Sequence, residues 1–90
     1  MMNYIYLIDD DFHSEGISRH ATFEDAKREI DRLSTIPLNT EPNFPPCGHL
    51  DTCGRRYEIV RFEVNENNEW LELDRTPIVE LRQSGIKWLR

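Results

Sequence analysis

The chain has 90 residues, of which 17 are acidic, 11 are Lys or Arg and 38% are hydrophobic, and its formal net charge is −6. This length supports one domain, residues 1–90, with a single core, and it excludes a large cofactor-binding fold. Four Phe, two Trp and three Tyr supply apolar surface that offsets the entropy cost of ordering the chain. We therefore expect a folded domain rather than a disordered chain.

Charge and hydropathy restrict the expected location and partners. No stretch approaches the ~18 to 20 consecutive apolar residues of a membrane-spanning helix, and the acidic start of the chain does not match a secretory signal. Nucleic acids and anionic membranes are bound through clustered Lys and Arg, which an acidic balance disfavours. We expect a cytoplasmic protein whose partner is another protein or a second copy of itself, not nucleic acid and not a membrane.

The first third of the chain predicts two strands and a helix. Residues 4–9 carry aromatic and β-branched side chains on both faces, which is typical of an interior strand, and residues 17–20 are a candidate return strand. Between them, residues 9–15 are interpreted as a solvated acidic turn, since they lack the glycine and the final acidic residue of a calcium loop. Thr22 predicts a helix start because its hydroxyl can accept a hydrogen bond from the amide of Asp25. Apolar side chains then recur at helical spacing to about Ser34: Phe23, Ala26, Ile30 and Leu33.

Residues 35–56 differ from the rest of the chain. They hold four of the five prolines, two of the four glycines and both cysteines. So many prolines exclude a sheet interior, and loops above roughly 12 to 15 residues tend to be functional or disordered. Leu38, Phe44 and Leu50 provide apolar anchors, so we expect an ordered loop laid across the domain.

The last third predicts antiparallel strands. Residues 57–64 alternate in polarity and lead through a turn at 65–68 to a partner strand at 70–73. Together with the preceding elements this predicts an α+β fold: a single, mostly antiparallel sheet with one amphipathic helix packed on one face and a long loop that contains prolines and cysteines.

The C-terminal residues have two interpretations. Residues 78–82 and 86–89 are expected to be strands joined by Gln83-Ser84-Gly85, with Gly85 in a left-handed conformation. The alternative is a helix capped by Thr76 with Pro77 in its first position, which the β-branched pair Ile78-Val79 disfavours.

Cys47, His49 and Cys53 form the most reactive stretch of the sequence. A zinc site would need a fourth ligand from Asp51, His13 or His20, and five residues between the cysteines exceed the two to four that are usual. Zinc is therefore a minor alternative, and no cofactor is expected.

A redox role for the two cysteines is the other option, because Arg55 and Arg56 lie close enough to favour a thiolate. The simplest interpretation is that both thiols are small, semi-buried loop residues, because a disulfide would be transient or absent in a reducing cytoplasm.

No catalytic residues are predicted. Three histidines in a polar chain fall near nucleophiles by chance, and Gly48 and Gly54 are too isolated to form a phosphate-binding loop. We therefore expect a protein that is not an enzyme.

Trp70, Trp88, Arg55 and Arg56 are the predicted partner-binding residues, since tryptophan and arginine are enriched in interfaces. Packing of both tryptophans at the rim of the core is the simpler alternative.

The leading hypothesis for the function is a non-enzymatic protein-association domain, with a homodimer as one form. The alternatives are a metal- or redox-responsive protein using Cys47, His49 and Cys53, and, more weakly, an acidic inhibitor that mimics nucleic acid.

Two short segments carry a resemblance to other proteins. Pro46-Cys47 and Cys53-Gly54-Arg55-Arg56-Tyr57-Glu58 resemble a group of short bacterial proteins of unknown function that share a Pro-Cys pair, a Cys-Gly-Arg segment and a Tyr-Glu strand. The resemblance implies a bacterial origin and no particular activity. His49 has no match in that group.

Overall fold

A five-stranded antiparallel sheet with one helix against it makes up the computed structural model, which describes residues 3–90. The elements in chain order are β1 (Asn3–Asp10), β2 (Glu15–His20), α1 (Phe23–Leu33), β3 (Arg55–Val64), β4 (Trp70–Arg82) and β5 (Gly85–Trp88). The strand order is β2-β1-β3-β4-β5, and every neighbouring pair is antiparallel. The predicted α+β class is confirmed. Within residues 3–90, no helix is both long and apolar enough to span a membrane.

The position of β1 inside the sheet matches the prediction for residues 4–9. It pairs with β2 on one side and along its whole length with β3 on the other. This register sets Ile8 opposite Ile59 and Asp10 opposite Tyr57. The end of β1 therefore lies beside the start of β3, where the long loop joins the sheet.

Helix α1 forms as its sequence pattern predicts. The Thr22 Oγ1 accepts a hydrogen bond from the Asp25 amide at 3.0 Å and caps the first turn. Ala26, Ile30 and Leu33 are fully buried against sheet residues that include Ile8 and Ile59. Burying a large aliphatic side chain stabilises a fold by about 1.5 to 3 kcal/mol, so this apolar stripe fixes the helix on the sheet.

Two details differ from the sequence prediction, and the disfavoured alternative for the C-terminal residues can be rejected. Arg55 and Arg56, predicted as loop, are the first residues of β3. Residues 70–73 and 78–82 belong to one continuous strand, β4, and the helix alternative at Thr76-Pro77 is wrong. Proline has no amide hydrogen to donate, and Pro77 is tolerated because it borders a register shift in the β3–β4 pairing, where the ladder is already irregular.

The long loop is ordered, as predicted, and a buried asparagine holds it. The Asn43 side-chain amide donates to the carbonyl oxygens of Leu33 and Ile36 at 2.7 and 2.8 Å, at the end of α1. Its Oδ1 accepts a hydrogen bond from the Tyr57 hydroxyl at 2.7 Å. Burial raises the pKa of Tyr57 to about 12, so the hydroxyl keeps the proton that it donates.

Replacement of Asn43 tests this anchor. We expect Asn43→Ala to lower the free energy of unfolding by about 3 kcal/mol, because a buried polar group left without a partner costs roughly 1 to 3 kcal/mol. Urea unfolding followed by circular dichroism measures the change. Asn39→Ala in the exposed part of the same loop is the matched control and should stay within about 0.5 kcal/mol. Equal effects of the two variants would contradict the anchoring role.

Candidate functional site

A buried ion pair lies where β1, β3 and the loop meet. Arg55, only 2% exposed, donates from Nη1 to Oδ2 of the fully buried Asp10 at 2.8 Å. A buried charge is tolerated when it is paired and its hydrogen-bonding groups are satisfied, and Arg55 meets both conditions. Its other partners are the side chain of Glu15 and the backbone carbonyl oxygens of Pro42, Asn43 and Phe44.

Asp10 in turn orients a histidine. Its carboxylate accepts hydrogen bonds from the backbone amides of Phe12 and Arg56, both at 3.0 Å, besides the bond from Arg55. The fourth partner is the His13 Nδ1, at 2.5 Å from Oδ2. Because an ionised carboxylate only accepts, Nδ1 carries a hydrogen, and the other ring nitrogen is turned away from Asp10.

That second nitrogen faces the two cysteines. The His13 Nε2 lies 3.1 Å from the Cys53 Sγ, and Cys53 is joined to Cys47 in a disulfide whose Cα atoms are 6.9 Å apart. The three candidate ligand atoms of His13, Cys47 and Cys53 lie within 4.8 Å of one another. We call these three residues the sulfur site. Cys47 is exposed, whereas Cys53 and His13 are half-buried, so the site opens to solvent on the Cys47 side.

The position of Cys53 depends on the glycine that follows it. Gly54 is buried where the chain enters β3, and a Cβ atom there would lie 2.1 Å from the carbonyl oxygen of Leu81. Only glycine allows this close approach of the two backbones. The contact therefore fixes the position of Cys53 relative to the start of β3.

The histidine beside the cysteines is His13, which the sequence indicates only as a possible fourth zinc ligand, and not His49. His49 is exposed and lies outside the group of candidate ligands found among residues 3–90, as does the exposed Asp51. His20, the third histidine, has its Nε2 2.8 Å from the Ser18 hydroxyl. His13 precedes Cys53 by 40 residues, so only the β1–β3 pairing brings the two together.

The disulfide also differs from expectation. The sequence favours two free, semi-buried thiols, whereas the structure pairs Cys47 with Cys53 and leaves Cys47 exposed. The interpretation of residues 9–15 as a solvated turn is wrong for Asp9 and Asp10, which are both buried. Their burial follows from the extension of β1 to Asp10, one residue beyond its predicted end.

The predicted partner-binding residues are separated in the fold. Arg55 is internal and its donors are used within the chain, so the structure corrects its assignment as a surface contact. Arg56 is half-buried, with side-chain nitrogens 3.9 Å from carboxylate oxygens of Asp11 and Glu80.

The two tryptophans are 38% and 47% exposed and occupy different parts of the surface. Trp70 lies beside Phe62 of β3, with ring centroids 5.3 Å apart, whereas Trp88 lies under the ammonium group of Lys27 of α1. The 5.0 Å between that ammonium nitrogen and the ring centroid suits a cation–π contact.

A second cluster, Asp9, Glu58 and Arg75, is not indicated by any pattern in the sequence. Asp9 and Glu58 are cross-strand neighbours, both are buried, and Arg75 donates to both carboxylates. Burial, followed by the hydrogen bond and the charge of Glu58, raises the pKa of Asp9 to about 7. No residue spacing signals this pair, because only the register of β1 on β3 sets the two carboxylates side by side.

This raised pKa gives stability a defined pH dependence. The folded protein retains a proton on Asp9 that the unfolded chain releases at its ordinary pKa of 3.8, so the contribution of Asp9 to stability falls as pH rises from about 4 to about 7. We expect Asp9→Asn to gain stability relative to the native chain over this range and to keep that gain above pH 7. Thermal unfolding of both proteins across the range measures it. A difference in melting temperature that does not change with pH would contradict the assignment.

Comparison with known proteins finds no matching family model, no similar curated protein and no similar solved structure. The resemblance of the Pro-Cys and Cys-Gly-Arg segments to short bacterial proteins stays a prediction.

Proposed function

We propose that this protein is a non-enzymatic, redox-responsive domain in which Cys47 and Cys53 alternate between a disulfide and two thiols. The observation that carries the proposal is the chain of contacts from the Asp10 carboxylate through His13 to the Cys53 sulfur. This is the redox form of the alternative that the sequence indicates, with His13 in place of His49.

The difference in exposure between the two cysteines favours one direction of reduction, because Cys47 is exposed and Cys53 is half-buried. A thiolate of an external thiol attacks the Sγ of Cys47, the S–S bond breaks, and Cys53 leaves as a thiolate that takes up a proton. A second external thiolate then attacks the mixed disulfide and releases Cys47 as a thiolate, which is protonated in turn. Two external thiols are thereby oxidised to one disulfide, and the protein disulfide gains their two electrons and two protons.

His13 supplies the proton transfer at Cys53. As an imidazolium its Nε2–H donates to the departing Cys53 thiolate, and as a neutral imidazole it accepts the thiol proton in the reverse direction. Since the thiolate is the nucleophilic form of cysteine, the second role favours reaction of the reduced state. The four hydrogen bonds that fix the Asp10 carboxylate keep the ring in the orientation that both roles require.

Alkylation of the reduced protein tests this role of His13. In a Cys47→Ser background, we expect His13→Ala to slow the reaction of Cys53 with iodoacetamide by about tenfold at neutral pH, because the neighbouring base is lost. The two rates should converge at alkaline pH, where the thiol ionises without assistance. The exposed His49 provides the matched control, and His49→Ala should leave the rate unchanged. Equal neutral-pH rates with and without His13 would refute the proposal.

Protein association, the leading hypothesis from the sequence, remains a second candidate. The supporting observation is the apolar surface of β4 and of the edge strand β5, where Leu71, Ile86 and Trp88 are 62%, 51% and 47% exposed. Tryptophan at an exposed edge is a typical interface anchor. The acidic-inhibitor hypothesis gains less support, because acidic residues of β4 pair with arginines, as in Arg61–Asp74 and Arg75–Glu72.

Light scattering during gel filtration tests self-association. If the edge strand β5 pairs two copies, we expect a dimer at high micromolar concentration that Trp88→Ser converts to a monomer. Lys87→Ser, a change at the adjacent exposed residue of the same strand, is the control and should leave the dimer intact. A native chain that is monomeric at that concentration would remove this candidate.

A further inference from the structure

We propose that the reduced sulfur site binds one zinc ion through the Sγ atoms of Cys47 and Cys53 and the Nε2 atom of His13. The inference rests on the proposed function only in requiring that the disulfide can be reduced. It differs from the sequence-based metal hypothesis in omitting His49 and in making His13, there only a possible fourth ligand, the one histidine of the site. His13 lies in the β1–β2 connection rather than in the loop that carries both cysteines.

The geometry of the three residues fits the size of the ion. Zinc forms bonds of about 2.3 Å to sulfur and about 2.0 Å to nitrogen, which places neighbouring tetrahedral ligands roughly 3.5 to 3.8 Å apart. The three candidate ligand atoms already lie within 4.8 Å of one another. Small side-chain rotations after reduction therefore suffice to place all three around one ion.

The chemistry of the ligands favours zinc over the common alkaline-earth ions. Thiolate and imidazole are the ligands of structural and catalytic zinc, whereas calcium and magnesium require oxygen ligands. Two thiolates also balance the charge of a divalent cation. Because Cys47 is exposed, water from the solvent can complete the coordination as a fourth ligand.

The orientation of His13 is a second and independent indication of a metal. Histidine ligands in proteins almost always donate their other N–H group to a carboxylate, a carbonyl or water, which fixes the ring and strengthens the ligand nitrogen. Asp10 accepts such a bond from Nδ1 and leaves Nε2 directed at the cysteines. Asp10 is itself fully buried and held by Arg55, so the ligand is already oriented before an ion arrives.

Zinc binding and the disulfide exclude each other, because both use the same two sulfurs. Binding of Zn²⁺ to the dithiol releases two protons. A low-molecular-weight disulfide would then oxidise the two thiolates to the Cys47–Cys53 bond, take up two electrons and two protons to become two thiols, and release the ion. The site would thereby convert a redox change into the release of a metal.

Metal titration of the reduced chain tests the inference. Protein reduced with a phosphine under nitrogen is titrated with Co²⁺, whose visible absorption reports tetrahedral thiolate coordination, and the Co²⁺ is then displaced with Zn²⁺. We expect one ion per chain and loss of the cobalt spectrum when zinc is added. His13→Ala should weaken zinc binding at least tenfold in competition with a chromophoric chelator.

His49→Ala is the matched control for the choice of histidine and should bind zinc as the native chain does. The inference is overturned if the reduced native chain, folded or not, binds less than one ion, if His13→Ala binds as tightly as the native chain, or if His49→Ala loses the ion. Circular dichroism of each variant identifies any loss of binding that comes from unfolding. Cys53→Ser removes a ligand without touching either histidine and should lose the ion, and tight zinc binding by a folded Cys53→Ser chain would also overturn the inference.

The outcomes also separate this inference from the proposed function, because the alkylation experiment contains no metal. Fast alkylation that depends on His13, together with absent zinc binding, would remove the zinc site alone. Zinc binding together with alkylation that is independent of His13 would remove the redox role alone.

Discussion

The buried ion pair between Asp10 and Arg55 is the interaction on which the rest of this structure depends. Removing two charges from water costs several kcal/mol per ion, and only a close partner with additional hydrogen bonds offsets that cost. The Asp10 carboxylate accepts hydrogen bonds from two backbone amides, and Arg55 donates to three consecutive loop carbonyl oxygens. The pair therefore satisfies its own charges by joining the end of β1, the start of β3 and the proline-rich loop at one point.

The same pair assembles the sulfur site from distant parts of the sequence. Asp10 orients His13 through one carboxylate oxygen, while Arg55 holds the loop that carries Cys47 and leads into Cys53. The imidazole and the sulfurs lie together because Asp10 binds His13 and its partner Arg55 binds the backbone of the loop. The proposed redox chemistry and zinc binding both require groups held in place before reaction, and the Asp10–Arg55 ion pair holds His13 and the loop in place.

Local sequence signals were sufficient for most of the fold. The apolar period of α1, the Thr22 cap and the alternation in residues 57–64 each depend on neighbours a few residues away. The helix and the strand formed where they were predicted, although β3 begins two residues earlier, at Arg55. The candidate site was predicted only in part. The two cysteines are close in sequence and could be identified together, but nothing local distinguishes His13 from His49. The continuous strand β4 was missed because Pro77 normally interrupts a strand, and only the register shift beside it makes the residue acceptable.

The sequence by itself determined the α+β class, the helix with its cap, the ordered loop and the closeness of the two cysteines, because short-range spacing and side-chain chemistry encode these features. The tertiary structure decided which histidine faces the sulfurs, that Arg55 is internal, and that Asp9 and Glu58 share a buried position. Each of these depends on the pairing of β1 with β3, a contact between segments about 50 residues apart. Sheet register places side chains from such segments in contact, and no periodicity within either segment specifies that register.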